Sequence, residues 1–368
     1  MTALTANANV TRLVDQELRE FPVGAAVTIY RGGFVGIDPA GYAKDFEPGD
    51  LFAGIAYEYV DNSSGAAAAD KVRVYTQGDF EFTLTSAALT DVGKPVYATD
   101  DSTLALTGHP DAYVGKVVHY EAANTVIFRM RQWGEAPPNG NGSITLGLTG
   151  HETFTETGAT AGTFTLNGFD GKSALGLGIL MADAENAGIT FQFDATAEVA
   201  LASIRTTDDR LPIDKGVTMD VELVVSDKGD DAALDIDWGF GTALTTNSEA
   251  DIDHADMVQL ACFHMNGNSD NILCQSDDNT TDVAATDSTI DNDSTTDVAK
   301  KFKIIVRPAG TVEFWIAGAR VLSSTSFGVL STANLAAFIN MEKTSNDTTA
   351  VLTFRNLVVK GGTASCAY

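Results

Sequence analysis

The sequence is poor in cysteine, histidine, proline and positive charge, and each shortage removes a class of protein. Three cysteines (Cys262, Cys274 and Cys366) in 368 residues are too few for a disulfide framework and lack the spacing of a metal knuckle. The five histidines, His109, His119, His151, His254 and His264, are scattered. No His-Glu-x-x-His, Gly-x-Ser-x-Gly or glycine-rich phosphate loop occurs. A Ser/His/Asp triad stays open, because its members meet only in space; even so, the chain is expected not to be an enzyme. No apolar run approaches the roughly 18 residues of a membrane span, and residues 1–20 lack the basic segment and apolar core of a secretory signal. A soluble protein is expected. Lys and Arg number 23 against 50 Asp and Glu, a formal net charge of −27. That field opposes contact with phosphates, so neither nucleic acid nor an anionic membrane is an expected partner.

What the chain does have is enough apolar material for a core. Hydrophobic residues make up 44% of it, which excludes disorder over most of the length, and the length suits two domains. The clearest break lies at residues 134–142, where Pro137 and Pro138 precede glycines alternating with asparagine. Such a stretch holds neither a helix nor an interior strand and reads as a linker. Residues 1–135 carry 18 acidic and 10 basic side chains (net −8), and residues 136–368 carry 32 and 13 (net −19). Most of the acidity therefore belongs to the second part.

Both parts read as β. Before the break, short apolar or alternating runs are separated by turn signals, and residues 71–75 alternate as a half-buried strand does. Gly78 and Asp79, between two such runs, suit a tight hairpin. Only residues 10–20 have helical content. A small all-β barrel or sandwich follows. Beyond the break the strands are longer, as at residues 189–193, 219–223, 301–306, 312–316 and 351–359, with Pro308 and Gly310 in a hairpin turn. A larger two-sheet jelly-roll sandwich is the expected architecture. Residues 276–298, rich in Asp, Thr, Ser and Asn, read as a long exposed loop.

The chemistry-bearing residues leave several readings open. Asp235 and Asp237 fall on one face of a strand, because side chains repeat every two residues. With Asp251, Asp253 and the acids at 291 and 293 they offer hard oxygen ligands that would suit Ca²⁺, although none has the glycine and closing glutamate of an EF-hand loop. A solvated surface is the plainer alternative, and paired carboxylates also occur in glycosidases. Trp238 and Trp315 are aromatics that could stack on sugar rings; one of Phe314 and Trp315 is expected in the core. His119 and His264 lie inside strand patterns and read as ordinary strand residues. Cys262 and Cys274 read as buried free thiols.

One ordered series carries a resemblance. Thr2, Ala3, Leu4, Thr5 and Ala6 are followed by Phe21-Pro-Val23, then by Asp61-Asn-Ser63 with Gly65 and Asp70. After these come Val72-Arg-Val74, Gly78-Asp-Phe80, Asp91-Val-Gly93, Val96-Tyr97, Asp100-Asp101 and Val114-Gly115. Over about residues 2–131 this series resembles the small capsid decoration, or cement, proteins of tailed bacteriophages. The resemblance implies a compact β domain on the outer surface of a virion head, made in the host cytoplasm and assembled as a homotrimer on the major capsid protein. It also implies an N-terminal arm over residues 1–20, with Thr2, Ala3, Leu4, Thr5, Ala6 and Arg12 as capsid contacts. Residues 21–133 would then be the capsid-binding domain, 134–142 the linker and 143–368 an outward-facing sandwich. Residues 2–9 are small, polar and uncharged, in keeping with an arm that a neighbour orders; a frayed terminus without a role is the alternative. The sequence at 312–321 and 351–360 looks like the closing strands of concanavalin-like or laminin-G-like sandwiches. A head decoration protein is thus the leading expectation. A lectin-like, glycan-binding virion module with Asp235, Asp237, Trp238, Asp251 and Asp253 as contacts is the alternative, and a glycosidase or depolymerase stands third.

Overall fold

The structure is a computed structural model. It describes residues 7, 18–131, 143–148, 155–157, 162–166, 169–174, 177–181, 189–195, 198–206, 211–230, 234–242, 257–267, 269–292, 298–346 and 348–362. The chain folds as two compact units, Met1–Ile144 with Lys360–Tyr368, and Thr145–Val359. The expected arm residues Thr2–Ala6 and Arg12, the linker 134–142, and Asp251 and Asp253 lie outside the described residues.

Regular structure is almost all β, with three short 3₁₀ turns among the described residues. In the first unit a five-stranded antiparallel sheet runs in the order Leu18–Pro22, Lys71–Tyr75, Leu51–Ala56, Phe34–Ile37, Ala43–Asp45. A closed barrel follows, in the order Thr103–Ala105, Gly78–Leu84, Thr125–Met130, Tyr113–Ala122, Pro95–Ala98. Alternation builds both. Val72 and Val74 point inward between exposed Lys71 and Arg73, and Phe80, Phe82 and Leu84 do so between Glu81 and Thr83. Their rings pack densely, with Phe34 stacked on Phe82 at a centroid distance of 4.5 Å.

Two local expectations for this unit are corrected. Gly78 and Asp79 do not turn a hairpin, because Lys71–Tyr75 belongs to the open sheet and Gly78–Leu84 to the barrel. The chain instead passes from one sheet to the other, with Gly78 at φ 135°. Leu18–Glu20 is neither helix nor free arm: Leu18 pairs with Tyr75 and Glu20 with Arg73 on the edge of the open sheet.

The second unit is a two-sheet sandwich. A ten-stranded sheet follows the path Thr155–Thr157, Leu177–Met181, Ile189–Phe193, Ala350–Gly362, Val217–Asp227, Lys300–Val306, Thr311–Ile316, Ala319–Val321, with Ser143–Leu148 pairing Ala350–Gly362 and Phe327–Gly328 pairing Thr311–Ile316 off that path. A nine-stranded sheet runs Gly162–Leu166, Phe169–Ala174, Glu198–Thr206, Asn334–Asn346, Leu234–Gly241, Leu260–Asn266, Asn271–Asp277, Asp282–Asp291, with Leu211–Pro212 pairing Asn334–Asn346 off that path. One apolar core lies between them, filled from the first sheet by Phe191, Met219, Phe302 and Phe314 and from the second by Ile204, Trp238, Phe263 and Ile339. Trp238 stacks on Phe263 at 5.5 Å and meets Phe302 of the facing sheet edge-on at 5.0 Å. Among the described residues the chain is all-β, a barrel-bearing unit and a larger jelly-roll sandwich.

Residues 276–298, expected as a loop, contain a strand. Asp282–Asp291 pairs antiparallel with Asn271–Asp277 at the edge of the nine-stranded sheet. Its side chains are mostly exposed, with Val283 and Ile290 partly buried against the core, which is why aliphatic residues are scarce: a largely exposed edge strand needs few of them.

Candidate functional site

The strand Leu234–Gly241 sorts its side chains by parity. Leu234, Ile236, Trp238 and Phe240 enter the core, so Asp235 and Asp237 project from the opposite, outer face, as their spacing requires. The neighbouring strand Leu260–Asn266 does the same, sending Ala261, Phe263 and Met265 inward and leaving Cys262 and His264 outside. Register then aligns the outer residues in one row across four strands. Ser203 opposes Asn340, Asn340 opposes Asp237, and Asp237 opposes His264.

The row is buried and hydrogen-bonded. Relative exposures are 3% for Ser203, 2% for Asn340, 2% for Asp237 and 5% for His264. The Ser203 hydroxyl donates to Asn340 Oδ1 at 2.6 Å. His264 Nδ1 lies 2.7 Å from Asp237 Oδ1; a carboxylate oxygen only accepts, so this contact assigns the imidazole proton to Nδ1. Nε2 then points toward Asp235, whose Oδ1 is 3.8 Å away. Partly exposed groups flank the row: Asp235 and Glu342 oppose each other on one side, and Arg205 lies two residues beyond Ser203 on the other. An oriented imidazole among carboxylates can hold or move a proton, and carboxylate, amide and hydroxyl groups together recognise hydroxyl-rich ligands. Beside them Cys262 packs with Met257, Leu260 and Phe338. Burial pushes its thiol well above the usual range, with the Asp237 charge adding to the shift, so it is no nucleophile in the folded state.

The expected site residues divide accordingly. Asp235 and Asp237 share the outer face with His264. Trp238, expected as a sugar-stacking aromatic, is corrected to a core residue at 1% exposure, since parity turns it away from Asp237. Trp315 is buried too: Phe314 enters the core, whereas Trp315 donates its indole N–H to Glu313 Oε2 at 3.1 Å. Among the described residues no group of three or more His, Cys, Asp or Glu side chains is placed to hold a metal ion. Cys262 and Cys274 are buried and unbridged, and they occupy opposite faces, with Phe263 opposing Cys274 and Cys262 opposing Gln275. Sequence reasoning passed over Ser203 and Asn340 and read His264 as an ordinary strand residue. Parity could have placed His264 outside, but its meeting with Asp237 depends on a strand register that no local motif encodes.

No family model and no curated protein matches the chain. Matching solved structures include the alginate lyase AlgAT5 of polysaccharide lyase family 7, at 16% identity over 47% of this chain and 77% of that one, with a TM-score of 0.34. A protein of unknown function, SO2946 from Shewanella oneidensis MR-1, matches at 12% identity over 62% and 90%, TM-score 0.43. The carbohydrate recognition domain of Emp46p matches at 7% over 54% and 90%, TM-score 0.37. Each of these TM-scores is below 0.5, so the likenesses assign neither ligand nor reaction to this chain. They do correct one expectation. Alginate lyases recur among the matches, so the expectation that the chain is not an enzyme does not stand.

Proposed function

We propose that the unit Thr145–Val359 is a carbohydrate-recognising module that takes glycan on the outer face of its nine-stranded sheet. The observation that carries this reading is the polar row Ser203, Asn340, Asp237 and His264, set in mid-sheet and flanked by partly exposed Asp235, Glu342 and Arg205. Polar groups in a buried position cost stability unless paired, and a face that served packing alone would be filled by aliphatic side chains. A glycan array on the full chain, with product analysis of every glycan bound, tests it. Binding to a defined set of glycans is expected, and an array without hits would refute it.

A second reading concerns the first unit. The ordered series over residues 2–131 supports a head decoration role, in which this unit clamps the major capsid protein as a trimer and carries the glycan module on the virion surface. Purified protein is then expected to co-sediment with undecorated heads and to raise their resistance to heat. Deleting residues 1–9 should lower occupancy while the protein stays folded. Heads that bind none of it would exclude this reading.

A further inference from the structure

The imidazole of His264 sits between two carboxylates that hold it unequally. Its side chain is 6% exposed, and Nδ1 lies 2.7 Å from Oδ1 of Asp237, whose side chain is 2% exposed. On the other side Nε2 is 3.8 Å from Oδ1 of Asp235, whose side chain is 23% exposed. The first distance is that of a hydrogen bond, and the second is too long for one. With the ring proton on Nδ1, a neutral imidazole presents the Nε2 lone pair to a carboxylate oxygen that also only accepts. Two facing acceptors repel, in keeping with the gap between them.

Protonation reverses that relation. A proton on Nε2 makes the ring a cation that donates from both nitrogens. Nε2–H then faces a carboxylate oxygen about 1 Å beyond hydrogen-bond length, a gap that a side-chain rotation of partly exposed Asp235 closes. The surroundings favour the charged pair. Asp235 and Asp237 face the ring from Leu234–Gly241, Glu342 opposes Asp235 from Asn334–Asn346, and Asp287 opposes Leu273, the residue that opposes His264. Cys262, two positions along on the same face, keeps its proton because burial raises its thiol. Neither adjoining strand, Leu234–Gly241 or Asn271–Asp277, contains a lysine or an arginine. Burial alone would keep the ring neutral; a carboxylate at each nitrogen offsets it.

We propose that His264 makes glycan binding on this face pH-dependent: its protonation draws the Asp235 carboxylate onto Nε2 and withdraws it from a bound sugar. The proposal rests on the reading that the unit takes glycan beside the polar row, with Asp235 as a contact, and adds the regulation of that site. Proton and glycan then compete for one carboxylate, so binding is strongest near about pH 8 and falls as His264 charges. Nitrogen NMR of the imidazoles in the free full chain reads the switch without a ligand, with His264→Gln identifying the signal. His264 should carry one proton, on Nδ1, at about pH 8 and gain the second by about pH 5. Asp235→Asn should lower its proton affinity about tenfold or more; that position is partly exposed, so this comparison holds if the glutamine variant does not fold. A ring with the same protonation across the range, or with the same titration in Asp235→Asn, would overturn the proposal. Glycan arrays read at the two pH values form the second arm. Signals from the unaltered chain should fall about tenfold or more toward acid, and in His264→Gln the ratio between the two should approach one. Equal signals from the unaltered chain, or the same acid loss in His264→Gln, would overturn the proposal and leave glycan recognition standing. No bound glycan at either pH would refute the recognition itself, and the proposal with it.

Discussion

Asp237, at 2% exposure, has the buried imidazole of His264 as a hydrogen-bond partner at 2.7 Å. Replacing it by alanine leaves a buried N–H without that acceptor, a loss of about 1–3 kcal/mol, which urea denaturation should register as a lower midpoint. Trp238→Ala should cost more, about 3–5 kcal/mol, because a ring packed between Phe263 and Phe302 leaves a cavity in the core. The contrast between neighbours on one strand is the residue-scale signature of the two faces. Acid sensitivity follows from a third group. A hydrogen bond from the Arg355 guanidinium holds the Glu222 carboxyl below its ordinary 4.5. A carboxyl depressed in the folded state contributes stability that is present above the unfolded value and is lost as pH falls through the folded one. Glu222→Gln should therefore destabilise the protein near neutrality, with the difference from the parent shrinking below about pH 4.5; urea midpoints measured between pH 7 and pH 3 give the check. At this scale the sequence was informative about parity, as with Asp235 and Asp237, and silent about partners. Nothing near His264 announces Asp237, which lies 27 positions away.

Strands were legible wherever apolar and polar residues alternate over a core, as at Ile189–Phe193 and Val217–Asp227. The hairpin around Pro308 and Gly310 was legible too: Lys300–Val306 and Thr311–Ile316 pair antiparallel, and Gly310 turns the chain at φ 88°. The misreadings share one cause. Asp282–Asp291 lies at a sheet edge, mostly exposed, with Val283 and Ile290 only partly buried against the core, and Gly78 marks a passage between sheets with the same residue types that close a hairpin. Glycine identity mattered more at Gly115, beside a register shift in the barrel, where φ is 151° and a Cβ would sit 1.9 Å from the Arg129 carbonyl oxygen. Gly115→Ala must push the two strands apart and should destabilise the barrel by about 1–3 kcal/mol, visible as a lower thermal midpoint. The exposed edge strand carries Asp282, Asp287 and Asp291. Charges on an edge prevent it from pairing with another chain, so replacing all three with threonine should raise self-association, measured by light scattering at constant protein concentration.

Across the whole molecule, the −27 charge divides into −8 before position 136 and −19 after it, so the acidity is concentrated in the part that holds the sandwich. A strongly negative surface discourages nucleic acid from adhering, and it disfavours polyanionic glycans in favour of neutral ones. The sheet orders were not legible, because non-local pairing leaves no local trace. Glycan recognition on the outer sheet face of the second unit is tested most directly by one glycan array, probed in parallel with the unaltered chain and with Asp235→Ala, a change at a partly exposed position beside the buried row. A defined set of neutral glycans should bind the unaltered chain, with signals lost or reduced about tenfold or more in the variant. Identical signals from the two proteins, or none from either, would contradict recognition on that face.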